Sequence, residues 1–341
     1  MLRFLPNYGR PEDRSALQDL IARSLAAQAS SGSRAANQIL IDGIKLEVMP
    51  TLDEEFCREA LHYHSGLLYA HLEQPELAAD HFEQSRTLAG TGGDVLFSEH
   101  RQQSIALESR RQVAQKRGLQ TIVLASMPRS ASTSLTQTIG ATLDMPEMRA
   151  SAGRFPNYAL VPRWLSVCLS GGAVLHDHFA ASPYNLQVLR QNGVREIFVL
   201  IRDPRAAASS YSRLIFRSRT AEPSAEEIDA MILTVFLKGH GLWLQKWVDL
   251  AVDPAADIKI NWVLYPLVTS DIGSAMRQIF ARLLPEYPAL SPYMESGVAE
   301  VKSNFVVGSD EHWRSRVSDA TRERMWAAMP AGIAALLDLQ P

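Results

Sequence analysis

The chain has 341 residues, 34 of them Lys or Arg against 37 Asp or Glu for a formal net charge of −3, and 46% of its residues are hydrophobic. That length is enough for two domains and a sizeable core, and the near-balanced charge excludes the polybasic signature of a nucleic-acid or anionic-membrane binder. Cys57 and Cys168 are too few for a disulfide framework, no apolar run approaches the ~20 residues of a membrane span, and Met1–Pro6 is too short and broken for a signal peptide, so a cytoplasmic protein is expected.

Helical signals dominate up to residue 118. Residues 12–29 set Leu17, Leu20, Ile21 and Leu25 on one stripe. Glu59–Leu72 and Pro75–Leu88 read as a helical hairpin. Its Gly66, Tyr69, Ala78 and Phe82 give residues 56–88 a weak resemblance to a tetratricopeptide repeat, in which small residues let helices pack closely and aromatics fill the groove. Such units need about three copies to stabilise one another, and only one is recognisable. The hairpin is therefore expected to pack on the domain that follows; the functional alternative is a platform for a partner or a second copy, or a wall of an acceptor site. Arg110–Gly118 reads as a helix C-terminus, where cations suit the dipole and Gly118 suits the cap.

From residue 119 strands alternate with helices, at 120–126, 173–179, 196–201 and 258–263. This predicts an α/β domain, 119–341, with a mainly parallel sheet flanked by helices and preceded by the all-α region 1–118. The first strand runs into Met127-Pro128-Arg129-Ser130-Ala131-Ser132-Thr133-Ser134, after which Leu135–Ile139 begins a helix. A strand–turn–helix junction aims backbone N–H groups and a positive helix end at one spot, which suits a phosphate. The glycine pair and lysine of a Walker loop are missing, which disfavours kinase or ATPase chemistry.

Between the first two strands, 145–172 carries Arg149, Arg154, Tyr158, Arg163 and Trp164. In the second strand, alternation puts His176 and His178 on one face and Asp177 on the other; two histidines without a third ligand make an incomplete metal site. The third strand ends at Arg202. Asp203 then caps a helix opened by Pro204, and Ser210 lies two turns on, facing back toward Arg202. An arginine with a hydroxyl makes a phosphate clamp. Ser224 and Glu227 form a capping box before a helix bearing Phe236, Trp243 and Trp247, aromatics read as core. A further strand at 258–263 precedes an amphipathic helix at 275–284.

Pro128-Arg129-Ser130-Ala131-Ser132-Thr133 and the Arg202-x7-Ser210 spacing, each after an apolar strand and in this order, resemble the two phosphate elements of sulfotransferases that use 3′-phosphoadenosine 5′-phosphosulfate (PAPS). The resemblance covers residues 119–320 and implies a P-loop-like sulfotransferase fold with PAPS as cofactor and 3′,5′-ADP as product. It assigns Arg129, Ser130, Ala131, Ser132, Thr133 and Ser134 to the 5′-phosphosulfate, and Arg202 and Ser210 to the 3′-phosphate. Lys302 and Asn304, ahead of Gly308 and Trp313, would close over that phosphate. His178 aligns with the base of the family's Lys-x-His pair, and His176 with its lysine. Arg129 would neutralise charge on the leaving oxygen, and no metal is required. The acceptor would be a hydroxyl or amine on a small molecule, a carbohydrate or a lipid.

The chain departs from the family in three places. Ala131 replaces a glycine, which is tolerable at negative φ and costly at positive φ. The acidic pair expected after the Ile258–Tyr265 strand is missing, and the C-terminal basic triplet is reduced to Lys302. If His178 is not the base, an acidic residue in 145–172 is the next candidate. The competing functions are a P-loop-like nucleotide kinase and a non-enzymatic helical adaptor with a degenerate nucleotide fold.

Overall fold

The computed structural model describes residues 105–152, 155–156, 158–216, 222–295, 310–330 and 332–340, together with 19–27, 74–88 and the single positions 35, 39, 62, 65, 66, 68, 69 and 72. The strands are β1 (Ile122–Ser126), β2 (Glu147–Met148), β3 (Ser151–Ala152), β4 (Ala159–Leu160), β5 (Val174–Asp177), β6 (Glu196–Ile201) and β7 (Lys259–Leu264). Five of them form a parallel sheet in the order β2-β5-β1-β6-β7, and β3 pairs with β4 in a short antiparallel ladder. All four expected strands are present, within a residue or two of their expected ends. The unforeseen strands have two residues each, too short to show a period.

The sheet is parallel because both its faces are covered. Every residue of β1 and β5 is buried; β1 accordingly reads as an apolar run up to Ser126, whereas β5 carries His176 and Asp177 after Val174 and Leu175. Alternation divides their side chains between two cores. Val123, Ala125, Leu175, Val199 and Ile201 join one, and Ile122, Leu124, Val174, Phe198 and Leu200 the other.

The main helices among the described residues are α1 (Pro75–Leu88), α2 (Ile105–Lys116), α3 (Ser132–Leu143), α4 (Pro162–Leu169), α5 (Pro183–Gln191), α6 (Pro204–Phe216), α7 (Ala225–Val235), α8 (Gly241–Val252), α9 (Tyr265–Ser270), α10 (Ile272–Leu283) and α11 (Asp319–Ala327). The first core takes in Phe236, Trp243 and Trp247, all fully buried, as the sequence suggested. The second takes Leu135 and Ile139 of α3 with Met276, Ile279 and Phe280 of α10. Burial of each such large side chain is worth about 1.5–3 kcal/mol. Among the described residues no helix is long and apolar enough to cross a membrane.

The N-terminal helices pack on this domain. Leu20, Ile21, Leu68 and Leu72 form a small cluster with Leu25 and Tyr69, whereas Leu17 lies outside the described residues. Gly66 permits close approach, since a Cβ there would stand 2.8 Å from Phe82. Ala78 and Phe82 of α1 join the first core. Most of the expected Glu59–Leu72 helix lies outside the described residues, and among the described residues nothing extends the hairpin into a tetratricopeptide array. In the basic stretch, Arg117 donates to Leu143 O at 2.6 Å and Arg111 to Gly171 O at 3.1 Å, and Gly118, at φ +78°, follows α2. These two cations satisfy backbone carbonyls.

The C-terminal part is tied to α6. Arg205 is almost fully buried; it pairs with Asp203, donates to Gln340 O at 2.8 Å, and stacks 4.7 Å from the Trp313 ring. Asp229 of α7 accepts from Ser318 and Thr321 at the start of α11. Lys302, Asn304 and Gly308 lie outside the described residues.

Candidate functional site

β1 lies between β5 and β6, so the sheet runs outward from it in both directions. In an open α/β sheet, ligands bind at the carboxyl edge where the connections diverge. The Met127–Ser132 loop leaves β1 at that edge. Met127 N donates to Leu200 O at 2.9 Å, and the Ser130 hydroxyl closes the turn on Met127 O at 2.6 Å. α3 then starts with no side-chain cap, with Ser132 buried, Ser134 half-buried and Thr133 exposed in its first turn.

Arg129 and Ala131 both adopt left-handed backbone, at φ +71° and +64°. The alanine therefore occupies the conformation in which its Cβ is costly, and a glycine would relieve roughly 1–2 kcal/mol of strain. Part of that gain is offset by the freer unfolded chain, about 0.4–1 kcal/mol. Ala131→Gly should thus raise Tm modestly in thermal unfolding; a lower Tm would show that the Cβ contributes more packing than strain.

His240 supports this loop from below. It ends a π-helical turn, Phe236–His240, between α7 and α8. Its Nε2 donates to Pro128 O at 3.2 Å, and its ring packs 4.8 Å from Phe155 and 5.6 Å from Tyr211. Burial pushes its pKa down to about 3, so the imidazole stays neutral. Sequence reading did not single out His240, because a one-turn register slip within a helical stretch has no compositional mark.

The two expected phosphate elements meet at Arg129. Its Nε donates to Ser210 Oγ at 3.0 Å, and its backbone oxygen accepts from Arg202 Nη1 at 2.9 Å. The Arg202 guanidinium also lies 4.1 Å over the ring of Tyr265, the first residue of α9. This contact gives Arg202 an aromatic partner at the end of β7. As expected, Asp203 caps α6, accepting from Arg205 N at 2.9 Å. Arg316, unforeseen, reaches the same stretch of α6 and donates to Ser209 Oγ at 2.8 Å; burial, then the nearby Arg213 charge, lowers its pKa.

His176 and His178 share one face, and both meet Ser126 at the end of β1. Ser126 Oγ lies 2.9 Å from His176 Nε2 and 3.0 Å from His178 Nδ1, while His178 Nδ1 lies 2.8 Å from Ser126 O. His176 Nδ1 is 3.0 Å from Glu147 Oε1, and Thr136 Oγ1 donates to Glu147 Oε2 at 3.0 Å. Burial pushes the Glu147 carboxyl up, but the His176 hydrogen bond and charge, with Thr136 and Arg149, outweigh it and hold it below the ordinary range. Asp177, on the opposite face, accepts from Ala150 N and Ser151 N at 3.0 and 2.9 Å and so fixes the chain next to Glu147. Trp243 Nε1 donates to His178 O at 2.9 Å. Burial, then the His176 charge, pull the His178 pKa down to about 4, against the opposing Ser126 carbonyl and Asp177.

A similar depression holds at His81, where burial beside His62, with Nδ1 atoms 2.9 Å apart, lowers the pKa to about 4. Unfolded histidines titrate near 6.5, so the unfolded chain takes up protons first as the pH falls. Stability is therefore full above pH 6.5 and is lost as the pH drops toward 4, by about 1.4 kcal/mol per pH unit for each histidine involved. Tm should fall clearly between pH 7.5 and pH 5; an unchanged Tm would contradict the buried, neutral state of His81, His178 and His240.

No protein-family model matches the chain, and no curated protein matches it. Among solved structures it is similar to mouse sulfotransferase SULT7A1 complexed with PAP, at 14% identity and a TM-score of 0.44, over 68% of this chain and 94% of that one. A superposition this loose carries no argument; the parallel sheet and the loop at the end of β1 are what establish the α/β fold of the chain.

Proposed function

We propose that the chain is a PAPS-dependent sulfotransferase that moves a sulfuryl group to a hydroxyl or amine, with residues 119–341 as the catalytic domain and 1–118 as a helical region packed on it. The observation that carries this reading is the convergence of Arg129, Arg202 and Ser210 in one hydrogen-bonded cluster at the carboxyl edge of β1, with His178 held to the last residue of the same strand. Two motifs far apart in sequence meet at one edge of the sheet, which supports a reading in which both grip one bisphosphorylated nucleotide. The donor set fits such a ligand: an uncapped helix start, two guanidinium groups and several hydroxyls, all suited to anions.

PAPS supplies the sulfuryl group when bound. The backbone N–H groups of Ser130 and Ala131 and of the first turn of α3, with the hydroxyls of Ser132, Thr133 and Ser134, hold the 5′-phosphate. The Ser130 hydroxyl is already engaged with Met127 O. Arg202 and Ser210 hold the 3′-phosphate, and Arg316 is a C-terminal cation that reaches the turn carrying Ser210. Lys302 and Asn304, outside the described residues, would be further contacts to that phosphate. Arg129 neutralises charge on the leaving oxygen, and His178 accepts the proton of the attacking group. The acceptor is a small molecule, carbohydrate or lipid.

Incubation with labelled PAPS and panels of phenols, amines, sugars and lipids tests the reading. Acceptor-dependent transfer of label is the expected result. No transfer, with thermal stabilisation by ATP and magnesium but not by 3′,5′-ADP, would point to a nucleotide kinase; stabilisation by neither would point to an adaptor.

A further inference from the structure

The Pro128–Arg129 peptide is trans and planar, so its C=O and N–H point in opposite directions. The oxygen turns inward. His240 lies beneath the loop with 0% exposure, and because a carbonyl only accepts, His240 Nε2 is the donor to Pro128 O at 3.2 Å. Arg129 N–H is thereby aimed the other way, away from the buried ring, at an exposed loop tip. Pro128 and Arg129 are the two central residues of the turn that the Ser130 hydroxyl closes on Met127 O. Proline at the first of these positions and φ +71° at the second make it a type II turn.

A type II turn suits glycine at its second central position, and Arg129 stands there instead. Such a turn has an escape: its middle peptide flips. The flip gives a type I turn, returns Arg129 to negative φ and turns the Pro128 oxygen outward. Left-handed strain alone favours the flipped form by roughly 5- to 30-fold. The neighbouring bonds of the loop do not oppose it. Met127 N to Leu200 O, Ser130 Oγ to Met127 O and Arg202 Nη1 to Arg129 O are all made by other peptides. The bond from His240 is made to the middle peptide itself, and it exists only in the unflipped turn.

We propose that His240 is a positioning residue: through Pro128 O it holds the 128–129 peptide unflipped, so that Arg129 N–H joins the donors to the 5′-phosphate. The proposal rests on the reading of this loop as the holder of that phosphate. A flipped peptide would set a carbonyl oxygen against the anion in place of an N–H. The ring owes its place to the π turn. Each residue turns a helix by about 100°, so the residue that the π turn adds decides which side His240 faces, and here it faces the loop between Phe155 and Tyr211. Gly239 makes room for this, since a Cβ there would stand 2.8 Å from the Phe155 ring.

Crystal structures and calorimetric titration of His240 variants test it. In His240→Leu, Arg129 should adopt a negative φ with Pro128 O turned outward. Both 3′,5′-ADP and 5′-AMP should bind roughly 10- to 100-fold more weakly, the scale of a lost hydrogen bond to a charged group, while adenosine 3′-phosphate, which has no 5′-phosphate, binds as before. His240→Gln, whose amide N–H can replace Nε2–H, should keep the turn and most of the affinity. A double-mutant cycle separates peptide orientation from packing. In the Arg129→Gly background a positive φ carries no strain, so adding His240→Leu should weaken 3′,5′-ADP less than about threefold. If His240→Leu does not fold, His240→Phe keeps a ring against Phe155 and Tyr211 without the donor and takes its place in each comparison. An unflipped peptide in the variant, unchanged affinity for both 5′-phosphorylated nucleotides, or an equal loss in the two backgrounds would overturn the proposal. If the wild type binds none of the three nucleotides, the phosphate reading of the loop fails, and the peptide orientation in the variant still decides whether His240 holds the turn.

Discussion

Replacing His178 with alanine is expected to leave the fold and 3′,5′-ADP binding intact while sulfuryl transfer falls by roughly 10²–10⁴-fold, the contribution of a positioned general base. The expectation follows from the location of the ring. Its Nδ1 is held by the last residue of β1, its own carbonyl is held by Trp243, and its Nε2 is the nitrogen left to accept. His176→Ala should cost less, because His176 acts through Ser126. Burial also changes the pH profile. An ordinary histidine would lose half its base form near pH 6.5, whereas His178 stays neutral down to about pH 4. Initial rates should therefore hold through pH 6.5, and the protonation limb should lie near pH 4. Initial rates at saturating PAPS, with circular dichroism of each variant, check both expectations. A His178→Ala protein with near-normal turnover would remove His178 from the chemistry and make Glu147, the acidic residue in 145–172, the next base to test.

Arg129→Ala is expected to lower turnover by about 10²–10³-fold, the usual scale for loss of a group that meets charge developing in the transition state, and to raise the apparent KM for PAPS much less. Arg129 is exposed at the loop tip and bonds to Ser210 through its side chain and to Arg202 through its backbone. The alanine variant keeps the backbone link to Arg202 and loses the guanidinium, so the substitution separates charge from architecture. Steady-state kinetics with PAPS varied at fixed acceptor give the split. Normal turnover with only a raised KM would make Arg129 a tether for the ligand.

The parts of this molecule that were legible in the sequence are those encoded locally. β1 and β6 are buried on both faces, so they stand out as apolar runs, Ile122–Ala125 and Ile197–Ile201. The loop after β1 announces itself because arginine and four hydroxyl residues follow such a run directly. The cap by Asp203 and the capping box at Ser224 and Glu227 are fixed by spacings of two or three residues. The pair His176 and His178 was legible through strand alternation alone. What escaped was encoded by pairing between distant segments. Ser126 looked like the polar end of an apolar strand, and only the register Leu124↔His176 brings it beside both histidines. Glu147 sits on a two-residue edge strand that exists because Glu147 and Met148 pair with Val174 and Leu175. His240 reaches Pro128 only through the π turn, and Arg316 reaches Ser209 only through the docking of the C-terminal segment on α6. The φ of Ala131 was posed by the sequence as a question, and the backbone answers it with a left-handed value.

The central claim is that Arg202 and Ser210 form a site for a 3′-phosphate, and calorimetric titration with 3′,5′-ADP and 5′-AMP tests it most directly. The wild type should bind 3′,5′-ADP far more tightly than 5′-AMP. Arg202→Ala should weaken 3′,5′-ADP by about 1.5–3 kcal/mol, the cost of a lost charge-assisted contact, and leave 5′-AMP nearly unchanged. Equal affinity of the wild type for the two nucleotides, or equal weakening of both in Arg202→Ala, would contradict it.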